Sequence, residues 1–512
     1  MSLMRKMKYI NRFLLLLVLL SSILISCESM LEIKPEDSKV REEFWHVKED
    51  VEASIIGCYD GIKGQLYTMF CWGEIRGELV EVRSSDASVN SFNLHFINQT
   101  MGLTKWNGFY SNINRANTVI KFAPVAFESD DTYSKTELGY DLGECLTLKA
   151  LNYFYLVRSF KELPYTSEPS ENDKQNYLLK PLSGEQVVDS ILKDLHVAEK
   201  LVRHNYNDRD FEDVNLLPAY NKGRITLSTV HALMTDVYLF KNDYANALKY
   251  ANLVLSNNDY KLLDGENWYE MFSPGNSSEG IFELQFSTKY KYTNDLQKWF
   301  SDSEGGSQTF MNRLNQSTGT YKLWEGDDEE DLYEEDLRGQ YNTYRAEEKD
   351  VIWKYSGSST DQDDYRTSSD RDQNWIFYRL ADVVLMKAEA LNRLGRSDEA
   401  VVELLKVRNR AGYEEEGIVY ASVKDLELMI LDERGRELAF EGKRWFDLVR
   451  ISRRNNDPNI LARRIAEATF GFGGGQSSIL ARLVDPDSWY LPIHQSELEL
   501  NPNLKQNPYY RY

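Results

Sequence analysis

The sequence predicts a mostly α-helical fold in which paired helices form a scaffold and one long irregular insertion interrupts it. Three observations support this prediction. Apolar residues recur at three- and four-residue steps over long segments, small residues occupy matching positions in two helical pairs, and the composition changes between about 266 and 375.

Four segments carry the helical period. The segment 106–122 places apolar residues on one face, and 144–160 is apolar over most of its circumference, as expected of a buried helix. The segments 223–255 and 376–412 each predict two helices joined by a short turn.

The last two helical pairs share a pattern of small residues. Ala247 in the first pair and Ala400 in the second each follow a bulky residue by nine positions and precede apolar residues at four and seven positions. Small residues at a helix crossing let two backbones approach closely, as in tetratricopeptide (TPR) repeats. Because these alanines are 153 residues apart, the chain is not an uninterrupted repeat array.

The insertion between the two pairs has a different composition. It contains Ser-, Gly- and Asn-rich stretches, a β-like run at 281–287, many aromatic residues and an acidic run at 326–336. We therefore expect a few short strands and much irregular structure. Long irregular segments on a rigid scaffold are where binding sites usually lie.

The N-terminus predicts export and a lipid anchor. Residues 1–26 contain four basic residues, no acid before the core, and about 13 apolar or small residues, too few for the ~20 that span a bilayer. Leu24-Ile25-Ser26-Cys27 resembles a bacterial lipobox, which predicts cleavage before Cys27 and acylation of its thiol. An ordinary signal peptide with an incidental cysteine is the alternative.

The other cysteines, Cys58, Cys71 and Cys145, are widely spread and form no CxxC pair. We expect buried, unreactive thiols, with a Cys58–Cys71 disulfide left open.

Charge and motifs narrow the function classes. The net charge is −21, and removing the basic leader makes it more negative, which disfavours nucleic-acid binding. The six histidines form no compact metal-binding spacing, and the chain contains neither GxSxG nor GxxxxGK[ST]. The sequence therefore predicts no cofactor, no metal and no catalytic residue. The charged residues within 433–450 recur at helical spacing and indicate salt-bridged helix faces.

Six blocks of the sequence, together with the lipobox, carry a resemblance to a known family. They are the start of the mature chain (31–62), WNGFYSNINRAN (106–117), LTLKALNYFYLVRSFKELPY (146–165), YRLADVVLMKAEALNRLG (378–395), ERGRELAFEGKRWFDLVR (433–450) and YLPIHQSELELNPNLKQNPYY (490–510). These blocks resemble the SusD-like (RagB/SusD) family, in family order from Cys27 to the end of the chain. Two residues depart from the family pattern, His494 where Pro is expected and Tyr509 where Gly is expected.

The resemblance implies a lipid-anchored nutrient-binding protein of the Gram-negative outer membrane that faces the exterior. It implies TPR-like helical pairs with an irregular ligand-binding half, and a SusC-like TonB-dependent β-barrel as partner. The protein would cap that barrel as a hinged lid and deliver an oligosaccharide. We expect a signal peptide over 1–26, an N-terminal half over 27–265 and a C-terminal half over 266–512.

Sugar recognition needs flat aromatic rings for the C–H face and planar polar groups for the hydroxyls. Two segments supply these residue types where the family's ligand contacts usually fall, whereas Trp106 and Trp445 are predicted to be structural. The expected ligand-binding residues are Arg83, Asp86, Phe92, Asn93, Tyr290, Tyr292, Trp299 and Phe300.

Three other functions compete with glycan capture. A TPR-type adaptor would hold a protein partner, but the aromatic-rich insertion argues against it. A peptide-binding lipoprotein would share the same scaffold. A tethered hydrolase is disfavoured because the sequence contains no recognisable catalytic constellation.

Overall fold

The computed structural model describes most of the chain between residues 44 and 511. None of the helices in this described part is long and apolar enough to cross a membrane. The described residues are residue 7 and 44–511, with gaps at 172–174, 176, 208–215, 301–308, 314–335, 340–341, 346–349, 362, 368, 414–415 and 470–474.

The structure is mostly helical, which confirms the predicted fold class. In the first half the elements are, in chain order, α1 (Lys48–Lys63), α2 (Leu66–Gly73), β1 (Val80–Val82), α3 (Ala87–Asn93), α4 (Asn107–Ser129), α5 (Lys135–Phe160), β2 (Leu163–Pro164), β3 (Pro181–Leu182), α6 (Gly184–Ala198), α7 (Leu217–Gly223), α8 (Leu227–Lys241) and α9 (Tyr244–Leu255). In the second half they are β4 (Gly280–Leu284), α10 (Leu296–Phe300), β5 (Phe310–Asn312), α11 (Trp353–Ser356), β6 (Trp375–Arg379), α12 (Leu380–Arg393), α13 (Ser397–Arg410), α14 (Val423–Glu437), α15 (Arg444–Asn455), α16 (Asn459–Ala468), α17 (Gly475–Leu483) and α18 (Gln495–Leu500).

The helical pairs form as the small-residue pattern predicts. α8 packs on α9 and α12 packs on α13, and the two pairs meet because α9 packs against α12. Ala247, Ala388 and Ala400 are fully buried at these crossings. Although the pairs are far apart in sequence, they stack on each other in space.

The strands join segments that are distant in the chain. In the described residues β1 pairs with β5, β2 with β3 and β4 with β6, all antiparallel. The prediction of a helix from residue 376 is wrong at its start, since Trp375–Arg379 forms β6 beside β4. The aromatic and β-branched residues of this segment favour a strand, and the helix begins only at Leu380.

The core contains the residues predicted to be structural. Trp106 is 3% exposed and Trp445 is 1% exposed. Cys58, Cys71 and Cys145 are buried free thiols, which confirms the expectation for them and excludes the Cys58–Cys71 disulfide. Burial raises the pKa of the Cys71 thiol and keeps it protonated.

Gly73 lets α2 pack closely against the turn between α14 and α15. A Cβ atom on Gly73 would lie 1.8 Å from the Gly442 carbonyl oxygen, closer than any real contact. Gly442 itself has φ +72°, a left-handed conformation that favours glycine. This contact fixes the C-terminal end of α2.

His494 has a structural role at the start of α18. Its Nδ1 accepts a hydrogen bond from the Ser496 N–H at 3.1 Å, which caps the helix. The chain therefore gains a side-chain cap where the family pattern has proline.

Candidate functional site

The candidate site forms where two distant segments meet along β1 and β5. Val82 pairs with Phe310, and the Arg83 N–H, one residue beyond β1, donates to the Thr309 carbonyl at 3.0 Å. The Thr309 N–H in turn donates to the Trp299 carbonyl at 3.0 Å. This ladder brings the backbones of Arg83 and Trp299 together.

Asp86 and Arg83 lie on the exposed side of this junction. The Asp86 carboxylate accepts a hydrogen bond from the Ser88 N–H at 2.8 Å and caps α3. The Arg83 side chain is 58% exposed, and its Nε donates to Glu81 Oε1 at 2.6 Å. Both predicted polar side chains are therefore accessible to a ligand.

The structure corrects the prediction for Phe92 and Asn93, because both lie in the core. Phe92 is fully buried on the inner face of α3, three residues after the buried Val89. Asn93 donates from Nδ2 to the Val80 carbonyl at 3.2 Å and accepts from Arg313 Nη2 at 2.9 Å. Asn93 therefore supports β1 and the end of β5 through hydrogen bonds that use both the nitrogen and the oxygen of its amide group.

The adjacent residues Trp299 and Phe300 differ in burial: the Trp299 ring is half-buried and the Phe300 ring is fully buried. Leu296 and Phe300, four residues apart on the short helix α10, both face the core with no exposed surface. The Phe300 ring stacks on Tyr355 with centroids 5.0 Å apart. The prediction of a ligand contact is therefore wrong for Phe300, while the Trp299 ring is left partly open to solvent.

Tyr67 lies beside Trp299 and was not among the predicted residues. Their ring centroids are 5.1 Å apart at an interplanar angle of 74°, and both rings are half-buried. Burial raises the pKa of the Tyr67 hydroxyl, and Cys71 and the Asp86 carboxylate raise it further, so the hydroxyl stays protonated. We call Tyr67, Arg83, Asp86 and Trp299 the aromatic face.

A short hairpin at 287–292, which contacts the end of α1, carries the other two predicted tyrosines. An isolated bridge closes it at Tyr292, whose ring stacks on Phe286 with centroids 5.6 Å apart. Lys63 Nζ lies 3.9 Å from the Tyr292 centroid, and Lys63 ends α1 four residues before Tyr67. Tyr290 is 60% exposed. The Tyr290 ring is therefore accessible, whereas the Tyr292 ring is engaged in packing.

The charged residues of 433–450 belong to a buried network. Arg379 is fully buried and contacts Glu279 Oε1 and Glu441 Oε2, both at 2.9 Å. Burial alone would raise the pKa of Glu441, but Arg379 and Lys354 lower it. The predicted ion pairs at helical spacing are confirmed, as between Arg450 and Asp447, and the structure adds a partner from outside the segment, Arg379 of β6.

In the part of the chain that the structure describes, no three His, Cys, Asp or Glu side chains are close enough to hold a metal ion. Cys27 lies outside the described residues.

Two family models match the chain. The model described as SusD family matches residues 257–510, and the model described as "Starch-binding associating with outer membrane" matches residues 30–227. SusD-like protein P38 of Formosa agariphila is 28% identical over 500 residues, which covers 88% of this chain and 93% of the relative. SusD-like protein P2 of the same organism is 23% identical over 547 residues, which covers 98% of this chain and 99% of the relative.

Solved structures share the fold. A SusD superfamily protein of Bacteroides vulgatus aligns with a TM-score of 0.73 at 20% identity and covers 91% of this chain and all of that one, 100%. NanU of B. fragilis aligns with a TM-score of 0.65 at 22% identity over 94% of this chain and 100% of its own. Because the two family models together match most of the chain, the protein belongs to the SusD-like (RagB/SusD) family.

Proposed function

We propose that the protein is a lipid-anchored, surface-exposed protein of the outer membrane that captures an oligosaccharide and delivers it, uncleaved, to a SusC-like TonB-dependent transporter. The observation that carries this proposal is the aromatic face. It combines two half-buried rings, Trp299 and Tyr67, with two exposed groups of opposite charge, Arg83 and Asp86.

This combination suits a neutral or weakly charged sugar chain. A half-buried ring is held in place by the core and offers its remaining surface to the C–H face of a pyranose. A carboxylate and a guanidinium beside the rings accept from and donate to hydroxyl groups. Tyr290 on the hairpin at 287–292 adds an exposed ring for a longer chain.

The proposed delivery to a transporter and the proposed outer-membrane location are based on the family and on the N-terminal leader. The family model over residues 30–227 is described as associating with the outer membrane, and Cys27 follows a lipobox-like segment. Acyl chains on Cys27 would hold the protein at the membrane, where a hinged lid over a barrel can pass cargo inward. The buried network around Arg379 contributes no exposed acid or base for hydrolysis.

Affinity gel electrophoresis against a panel of soluble polysaccharides tests capture, with chromatography of the same mixtures to detect cleavage. We expect retarded migration with at least one polysaccharide and no new reducing ends. Release of shorter sugars would instead support the hydrolase, and unretarded migration with every polysaccharide would contradict glycan capture.

The anchor is tested separately. The variant Cys27→Ser is expected to leave the membrane fraction and to lose incorporation of labelled fatty acid, because the thiol is the acylated group. A variant at a buried thiol, Cys145→Ser, is the control and should stay in the membrane fraction. Equal labelling of both variants would contradict anchoring at Cys27.

A further inference from the structure

A second concave surface lies between α4 and the C-terminal helix α18. Its volume is about 780 Å³, and its walls come from residues within 106–117, 164–170 and 497–504, together with Gln175 and 177–179. This volume falls within the range of ligand-binding clefts in proteins. No residue of the aromatic face lines it, so it is a separate site.

The rim of this groove exposes large apolar side chains. Leu500 is 73% exposed, Tyr177 is 48% exposed and Leu178 is 46% exposed. The wall is preformed, since Asn503 Nδ2 donates to the Leu178 carbonyl at 2.7 Å and ties the C-terminal segment to the opposite side. Adjacent apolar side chains held open to water are typical of a protein interaction site.

A buried polar group inside the groove has an unused hydrogen-bonding position. Asn117 lines the groove and is 1% exposed, and its Nδ2 donates to the Thr166 carbonyl at 3.2 Å. Its Oδ1 has no hydrogen-bond partner among the described residues. Native proteins rarely leave a buried carbonyl oxygen unpaired. An occupant of the groove that donates an N–H or O–H would supply the missing hydrogen bond to this oxygen.

Asn114, nearly one turn earlier on α4, offers the complementary group. Its Oδ1 already accepts from the Ser170 N–H at 2.6 Å, which leaves the amide N–H groups as donors toward the groove that it lines. Asn117 can therefore accept and Asn114 can donate. A peptide unit has one N–H and one C=O, which match this pair.

The charge of the lining and its aliphatic rim favour a peptide over a sugar. The described lining contains Glu168 and Glu497 but no Lys, Arg or His, so it favours a basic occupant over an acidic one. The leucines at the rim suit aliphatic side chains.

We propose that this groove binds an extended peptide segment of a partner protein that carries apolar side chains and at least one Lys or Arg. The apolar side chains pack on Leu500, Leu178 and Tyr177, and the backbone pairs with Asn117 and Asn114. The basic side chain meets the two rim carboxylates. This inference does not depend on glycan capture at the aromatic face.

Selection of a displayed heptapeptide library on the immobilised full chain tests the proposal. Enriched peptides should combine aliphatic residues with Lys or Arg, and their Kd is then measured by fluorescence anisotropy. Leu500→Gln is expected to weaken binding about tenfold, because it removes exposed apolar surface without adding charge. Leu253→Gln, at another exposed leucine on α9, is the matched control and should bind as the wild type does.

A second variant tests the charge requirement. Glu497→Gln should weaken basic peptides and reduce the salt dependence of their Kd, since one rim carboxylate is lost. Three results would overturn the proposal: no enriched peptide, equal binding by Leu500→Gln and Leu253→Gln, or a Leu500→Gln defect seen only with soluble polysaccharides.

Discussion

The buried network around Arg379 and the aromatic face around Trp299 use similar side chains under opposite conditions. Arg379 is fully buried and pairs with three carboxylates, Glu279, Glu437 and Glu441. Arg83 is 58% exposed and pairs with one carboxylate, that of Glu81, two residues earlier on β1. The Arg379 guanidinium is fully hydrogen-bonded within the protein, whereas the Arg83 guanidinium can exchange its one partner for a ligand.

The difference follows from the cost of removing a charge from water. A buried charge is tolerated only where ion pairs and hydrogen bonds replace its hydration. Removing one partner therefore causes a large loss of folding stability. An exposed pair is screened and contributes about 0–1 kcal/mol, so it can be rearranged at little cost. Burial, rather than residue type, therefore separates the structural charges from those available for binding.

The largest expected effect comes from breaking the network at its centre. Arg379→Met should lower the free energy of unfolding by about 3–5 kcal/mol, because it leaves buried carboxylates without their guanidinium. Arg83→Met is the matched control and should change it by less than about 0.5 kcal/mol. Urea denaturation followed by circular dichroism measures both, and equal small losses would contradict the contrast.

The second-largest expected effect is a loss of folding stability at low pH, which arises in the same buried region. Burial alone would raise the pKa of Asp382, but Lys443 and Arg434 hold it at about 2, below the 3.8 of an unperturbed aspartate. Between these values the unfolded chain binds more protons than the native protein, so stability present above pH 3.8 is lost as the pH falls toward 2. We expect this carboxylate to contribute about 2 kcal/mol at neutral pH.

The variant Asp382→Asn isolates this contribution. It should be less stable than the wild type at neutral pH, and the difference should shrink as the pH falls through the window. Asp361→Asn, at an exposed acid, should show almost no difference at any pH. A difference for Asp382→Asn that stays constant with pH would show that the carboxylate does not titrate as described.

The smallest effect separates two roles of Asp86 on the aromatic face. Asp86→Ala should cost about 1 kcal/mol, since it removes the cap of α3. Asp86→Asn should keep the cap, because asparagine caps as well as aspartate, and yet weaken glycan binding about fivefold through loss of the charged acceptor. Thermal unfolding and titration calorimetry measure the two effects. Unchanged affinity in Asp86→Asn would remove Asp86 from the ligand contacts.

The scaffold could be predicted because its signals are local. Ala247 and Ala400 mark the helix crossings within their own segments, and both are fully buried where predicted. Phe92 carried a local signal that the prediction missed, namely its three-residue spacing from Val89 on one face of a helix. Phe300 was likewise four residues from Leu296.

The aromatic face could be predicted only in part because its geometry is long-range. The pairing of Val80 with Asn312 joins strands of three residues, too short for a periodic pattern. Tyr67 lies among apolar neighbours that give no sign that its ring reaches the surface. The burial of Glu441 depends in the same way on Arg379, from a distant strand.

Glycan binding by Trp299→Ala is the measurement that tests the central claim most directly. Titration calorimetry with the polysaccharide retained in the gel assay should show about tenfold weaker affinity or more, because a stacking ring at the centre of the face is lost. Tyr420→Ala, at a half-buried tyrosine outside the face, should bind as the wild type does. Equal affinity of Trp299→Ala and wild type, with the fold intact by circular dichroism, would contradict the assignment of the aromatic face as the ligand site.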